Sequence, residues 1–245
     1  QPRQLLAHRT TWLRSDLKSE IAAINMSGAQ YDESDFKINH NSWKDNARYT
    51  VQLATEGKIK EKVISNIKKV QSKDRISIGM FYLSDRDVVK ELIKASKRNV
   101  DIKIILDINK EAFGKEKPGV PNKPVASELI NRTNNNIKVK WALSNGEQFH
   151  SKYLLFEQHE NKDATMILGS SNLTRRNMND YNLETDIIIQ GKQDDPAFQK
   201  LSTTFNDAWI NNDHSYTAQY DEYKDESLWK KLLYRIQEET GLSSF

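Results

Sequence analysis

The sequence predicts a mixed α/β domain with a largely parallel β-sheet flanked by helices. Three observations carry this. Arg75–Phe81 alternates Ile76, Ile78 and Met80, as a strand does. Asp85 to Arg98 repeats Val88, Val89, Leu92 and Ile93 at helical spacing behind an Asp that can cap the helix. Val100–Asp107 is a short apolar run that reads as a buried strand. Strand, helix, strand is the signature of a parallel pair.

The remaining elements follow in order. Residues 1–56 read as an extension or interdomain connector, polar from Ser27 to Asn46, with Leu5, Leu6, Trp12 and Leu13 as a short amphipathic start. The globular domain is expected over 57–245. Ile59, Val63, Ile67 and Val70 mark one helix face, and Lys58, Lys60, Lys62, Lys68 and Lys69 the other. The Gly, Lys and Pro content of Gly114–Pro124 requires a loop, and a short helix is expected near Val125–Arg132. Further strands are expected at 137–143, 149–156, 164–168 and 183–190, and closing helices at 196–209 and 226–239. The five tryptophans are scattered and read mostly as packing residues.

Composition narrows the function. The chain has 245 residues and no cysteine, so disulfides, thiolate zinc sites and cysteine nucleophiles are excluded. The formal charge of +3 argues against a protein that coats nucleic acid generally, and leaves room for a local basic site. No stretch approaches 18 uncharged apolar residues.

Three motifs between Gly146 and Glu184 carry chemistry. His150-Ser151-Lys152 places an imidazole and an ammonium two residues apart, on one face of a strand. The imidazole can attack phosphorus or carry a proton, and the lysine can offset the charge of phosphate oxygens. Gly169-Ser170-Ser171-Asn172 follows an apolar strand; Gly permits a sharp turn, and Ser170 and Asn172 can bind phosphate oxygens. Leu173 and Thr174 lead into a short helix whose amides would face the same anion. Asn182-Leu183-Glu184 brings a carboxylate that can orient an imidazole. Asp85, Arg86 and Asp87 read as a helix cap with flanking charges, not a metal cluster. Asn109, Lys110, the loop Lys115–Lys123, Arg175 and Arg176 are further candidates to border the cleft.

This arrangement resembles the phospholipase D superfamily, the HKD phosphodiesterases. His150, Lys152, Gly169, Ser170 and Asn172 match its motif, and Glu184 falls where many members carry a supporting glutamate. The stretches 146–152, 172–177 and 234–242 resemble bacterial two-half members related to the cardiolipin synthases. The resemblance covers about 57–245. It implies a phospholipase D-like fold, no cofactor and no metal. It also implies two-step chemistry in which one histidine forms a phosphohistidine and another protonates the leaving alcohol. His150 takes one of these roles; Lys152, Ser170 and Asn172 hold phosphate oxygens; Glu184 orients an imidazole.

Two departures stand out. The motif's Asp is Glu157, which faces away from the His–Lys pair and is expected to be structural. The tyrosyl-DNA phosphodiesterases carry Asn there. The family also joins two motifs in one site, and this chain has one. Either an N-terminal half of the same protein or a homodimer mate supplies the second; Gln1 as first residue and the polar segment before Gly57 favour the former. A phospholipid is the expected substrate, with hydrolysis or phosphatidyl transfer as the reaction and membrane contact through the basic helix face. The alternatives are a nuclease acting on DNA or RNA and a non-catalytic half. The compartment is unknown from the sequence; a membrane-associated or extracytoplasmic bacterial setting would need a segment outside this chain.

Overall fold

The computed structural model describes residues 48–108, 111–112, 115–116, 119–144, 147–179, 181–225 and 227–240. The chain divides into two units at Ala47, and the second holds every element described. In order these are β1 (Thr50–Thr55), α1 (Gly57–Lys69), β2 (Arg75–Met80), α2 (Arg86–Lys97), β3 (Asp101–Leu106) and the two-residue strands β4 (Glu111–Ala112) and β5 (Lys115–Glu116). There follow α3 (Asn122–Arg132), β6 (Ile137–Ala142), β7 (Lys152–Glu157), β8 (Asp163–Gly169), α4 (Arg175–Met178), β9 (Thr185–Lys192), α5 (Pro196–Ile210), β10 (Thr217–Gln219), α6 (Tyr220–Tyr223) and α7 (Leu228–Thr240).

The α/β class is as expected, and the sheet is mixed. Its order is β1-β9-β8-β7-β2-β3-β6-β10. The parallel share is smaller than expected: only β2–β3 and β3–β6 run parallel, and the other five pairings are antiparallel. The reason is connection length. The strands β7, β8 and β9 follow one another without a long crossover helix, which antiparallel neighbours permit and parallel ones do not. The sheet also takes in β1, which lies inside the stretch read as an extension and pairs with β9 from Thr50↔Gln190 to Thr55↔Thr185.

Alternation along the strands sorts the core into two faces. Ile76, Ile78, Ile102, Ile104, Leu154 and Phe156 join a large cluster with Ile59, Val63 and Ile67 of α1, Val88 and Leu92 of α2, and Val125 and Leu129 of α3. Leu155, Ala164 and Met166 face the other way, onto Phe198 of α5, and Ile105 and Ala142 onto Phe205 of the same helix.

Asp85 caps α2 as expected, accepting the amides of Asp87 and Val88 at 3.0 Å each. Lys60 on the basic face of α1 is not offered to an anionic surface. Its Nζ lies 3.0 Å from Asp85, 2.8 Å from Asp87 and 3.0 Å from Asn179 Oδ1. Lys58 is paired with Glu61 at 2.8 Å. Arg86 is drawn into a bidentate pair with Glu128 of α3, both contacts 2.8 Å, and also donates to the hydroxyl of Tyr234 in α7. Of the tryptophans, Trp141 is fully buried, Trp209 stacks on Phe205, and Trp229 is exposed; Trp12 and Trp43 lie outside the described residues.

Candidate active site

One end of the sheet gathers the motif residues. β2, β3 and β8 finish there, and β7 and β9 begin there. His150 lies just before β7 rather than within it, and its neighbours are pinned on both sides. The Phe149 amide donates to Asp107 Oδ2 at 2.7 Å, and the Phe81 amide donates to the Ser151 carbonyl at 2.9 Å. The His150 side chain stays exposed between these two tethers. Lys152 Nζ lies 3.1 Å from its Nε2 and 3.3 Å from its Nδ1. The Phe81 ring backs both groups, with its centroid 5.1 Å from the imidazole and 5.6 Å from the ammonium.

These surroundings favour neutral forms. Partial burial, and then the charge of Lys152, holds the His150 imidazole below its ordinary pKa, against an opposing pull from Asp107. Burial likewise lowers Lys152, opposed by the charges of Glu184 and Asp186.

The Gly169–Asn172 turn runs beside the end of β2. The Tyr82 amide donates to Asn172 Oδ1 at 3.2 Å, and the Leu173 amide donates to the Tyr82 carbonyl at 3.0 Å. With its oxygen engaged, the Asn172 amide has only its NH₂ donors left to offer an anion. Gly169 does not serve the turn through a left-handed backbone; among the described residues Gly119 is the one glycine with positive φ. It is needed for close approach, since a Cβ there would lie 2.3 Å from Asp186 Oδ1 and 2.3 Å from the Thr185 carbonyl. The expected short helix is α4, a single turn capped by Thr174, whose hydroxyl lies 2.7 Å from Asn177 Oδ1.

Glu184 is engaged by Asn177 Nδ2 on one carboxylate oxygen and by the Ser170 hydroxyl on the other. The charge of Asp107 favours the protonated form of His150, and the charges of Glu184 and Asp186 favour the ammonium of Lys152. Glu157 is not part of this group. It ends β7, where Ser202 of α5 donates to it at 3.1 Å and Arg75 lies 3.5 Å away. With its contacts structural, Glu157→Gln is expected to leave kcat within about twofold and to cost about 1 kcal/mol or less, because the Gln carbonyl can still accept from Ser202 and only the ion pair with Arg75 is lost. Chemical denaturation beside steady-state kinetics checks this, and a hundredfold loss of kcat would return Glu157 to the chemistry.

Arg176 closes its own loop by donating from Nε to Asn182 at 2.9 Å. Asn109 and Lys110 lie outside the described residues. Of the stretch 115–123 read as a loop, Asn122 opens α3 and supports the site: it is fully buried and bonds the Leu83 amide at 2.9 Å and the carbonyls of Phe81 and Asp107 at 2.7 and 2.8 Å. Asn122 belongs to the stretch 115–123 expected to border the cleft, while Asp107, Asn177 and Asp186 were not legible as site residues. The available signals were faint: a polar residue closing an apolar strand run for Asp107, and an Asn three residues after a capping Thr for Asn177. Among the described residues no group of three or more His, Asp and Glu is arranged to hold a metal ion, and no helix is long and apolar enough to cross a membrane.

Solved structures share this fold. A phospholipase D family member, Nuc from Salmonella typhimurium, superposes with a TM-score of 0.52 at 22% identity, over 70% of this chain and 98% of that one. Phosphatidylserine synthase from Haemophilus influenzae Rd KW20 gives a TM-score of 0.53 at 14% identity, over 79% of this chain and 46% of that one. No curated protein sequence matches significantly. Residues 63–209, more than half of the chain, match the family described as cardiolipin synthase, PLD-like domain. With a His-x-Lys pair and a Gly-Ser-x-Asn turn at one sheet end, and a family match spanning both, the chain belongs to the phospholipase D-like family of the cardiolipin synthase type.

Proposed function

We propose that residues 57–245 form one half of a metal-independent phosphodiesterase site that acts on phospholipids through a phosphohistidine. The observation that carries this is the ammonium of Lys152 held 3.1 Å from a largely neutral, exposed His150. A neutral imidazole nitrogen attacks phosphorus, the bond to the leaving oxygen breaks, and a second histidine protonates that oxygen. The same second histidine then takes a proton from water or an acceptor alcohol as it attacks the phosphohistidine. Lys152 and the Asn172 amide surround the non-bridging oxygens, where charge grows in the transition state, and the Ser170 hydroxyl joins them when its proton turns from Glu184 to the substrate. Glu184 holds Ser170 and sets the charge around Lys152; Glu157 stays structural.

The second histidine comes from another half, either upstream in the same protein or in a homodimer mate. The extent of the fold matches supports a half-site: this unit corresponds to nearly all of the Nuc chain and to less than half of the phosphatidylserine synthase chain. Phospholipid as substrate is supported by the cardiolipin synthase family match and by the rim of the site. Tyr181 and Leu183, 60% and 74% exposed, flank Asn182 beside Glu184. On the basic face of α1, Lys58 and Lys60 are paired within the chain, while Lys68 and Lys69 are exposed.

Turnover of an aryl phosphodiester in excess chelator, followed over a wide range of protein concentration, tests the chemistry. Specific activity that falls on dilution indicates two copies sharing a site. Phospholipid vesicles and single-stranded DNA offered in parallel separate the substrate classes, and cleavage of DNA alone would replace the lipid reading by a nuclease. The pH dependence is a further expected result. A nucleophilic imidazole must be neutral, so phosphohistidine formation is lost as pH falls through the His150 pKa. That pKa is lowered, so the acid limb lies below the ordinary imidazole value of about 6.5. Rapid-quench trapping across pH checks this, and an acid limb above neutrality contradicts it.

A further inference from the structure

The Gly-Ser-Ser-Asn turn is built around a buried carboxylate. Asp186, the second residue of β9, is paired in register with Gly169 and is 4% exposed. Its Oδ1 accepts the Ser171 amide at 3.1 Å and the Ser171 hydroxyl at 2.8 Å. The same oxygen fills the space that a Cβ at position 169 would occupy. The carboxylate thus accounts for the second serine of the motif and, together with the Thr185 carbonyl, for the glycine. Ser170 and Asn172, two of the proposed phosphate ligands, stand on either side of the residue it grips.

The charges around Asp186 are those of the proposed clamp. The charge of Asp186 favours the ammonium form of Lys152 at the start of β7, and the charge of Glu184, two residues earlier in the chain, works against that of Asp186. Burial works against the charge on both Asp186 and Lys152, raising the one and lowering the other. The two Ser171 bonds favour the ionised carboxylate, while the nearby charge of Glu184 opposes it.

We propose that Asp186 is a positioning residue of the site: it fixes the Ser170–Asn172 turn through Ser171 and balances the charge of Lys152. This rests on the reading of Lys152 as the phosphate clamp. Asp186→Asn keeps the shape and an oxygen able to accept the Ser171 bonds, and removes only the charge. It is expected to lower kcat about tenfold, because neutral hydrogen bonds from Ser171 are weaker than charge-assisted ones and hold the turn less firmly. The alkaline limb of the pH profile moves to lower pH, because Lys152 loses a supporting anion. Asp186→Glu, which restores the charge one methylene further out, recovers part of the alkaline limb.

The charge effect is read without turnover by following the Cε resonance of Lys152 against pH in labelled protein, assigned with Lys152→Arg. A downward shift of that titration in Asp186→Asn supports the proposal. An unchanged Lys152 titration together with an unchanged kcat overturns it, even if the variant melts earlier, because a merely structural Asp would do that. A shifted titration in a protein with no phosphodiesterase activity supports the coupling and overturns the enzymatic reading instead.

Discussion

Replacing His150 with alanine is expected to reduce turnover at least about a thousandfold, as loss of a nucleophile or a proton carrier does, while leaving the fold standing. The side chain is exposed, and the backbone on either side of it is held by Asp107 and Phe81 through groups the substitution does not touch. Stability should therefore change by no more than about 0.5 kcal/mol. No phosphohistidine should be trapped in the variant if His150 is the nucleophile. Circular dichroism, a melting curve and single-turnover kinetics on one preparation check all three statements. Turnover near the wild-type rate would remove His150 from the chemistry, and with it the assignment of the site.

The second large effect concerns Asn122, which touches no substrate in this scheme. Asn122→Ala leaves a buried amide and two buried carbonyls without their side-chain partner: the N–H of Leu83 and the oxygens of Phe81 and Asp107. Each buried polar group deprived of its partner costs about 1–3 kcal/mol. The carbonyls retain a second lone pair for other partners, so the expected loss is about 3–5 kcal/mol, or roughly 10 °C in melting temperature for a domain of this size. Activity should fall too, because Asn122 locks the ends of β2 and β3, which carry Phe81 behind the imidazole and Asp107 beneath Phe149. Urea denaturation of Asn122→Ala against Asn122→Ser measures the cost. A loss below about 1 kcal/mol would mean that water replaces the amide and that the lock is dispensable.

Much of the fold was legible because most elements carry local periodic signals. The repeats in 59–70 and 88–93, the strand runs around 76–80, 102–106 and 137–142, and the helix over 196–210 correspond to elements within a few residues. The edges were not. β1 and β10 are short strands at the two margins of the sheet, and such strands exist through their neighbours rather than through a strong pattern of their own. The small share of parallel pairing was hidden for a related reason. One strand–helix–strand unit was visible, while the antiparallel run of β7, β8 and β9 depends on how the chain returns on itself.

The candidate site divides the same way. The sequence by itself determined the chemistry on offer: an imidazole two residues from an ammonium, and a small polar turn after a buried strand. In extended chain, residues two apart share a face, so the spacing together with the strand pattern is enough to pair His150 with Lys152. Only the tertiary structure decided which groups support them. Asn122 reaches Leu83 across 39 residues, Asp107 reaches Phe149 across 42, and Asp186 reaches Ser171 across 15. Glu184 is held in place by Ser170 and Asn177, the latter seven residues before it. Contacts of this kind form when strands far apart in the chain end on the same edge of a sheet. That is a property of the whole packing, which no local spacing encodes.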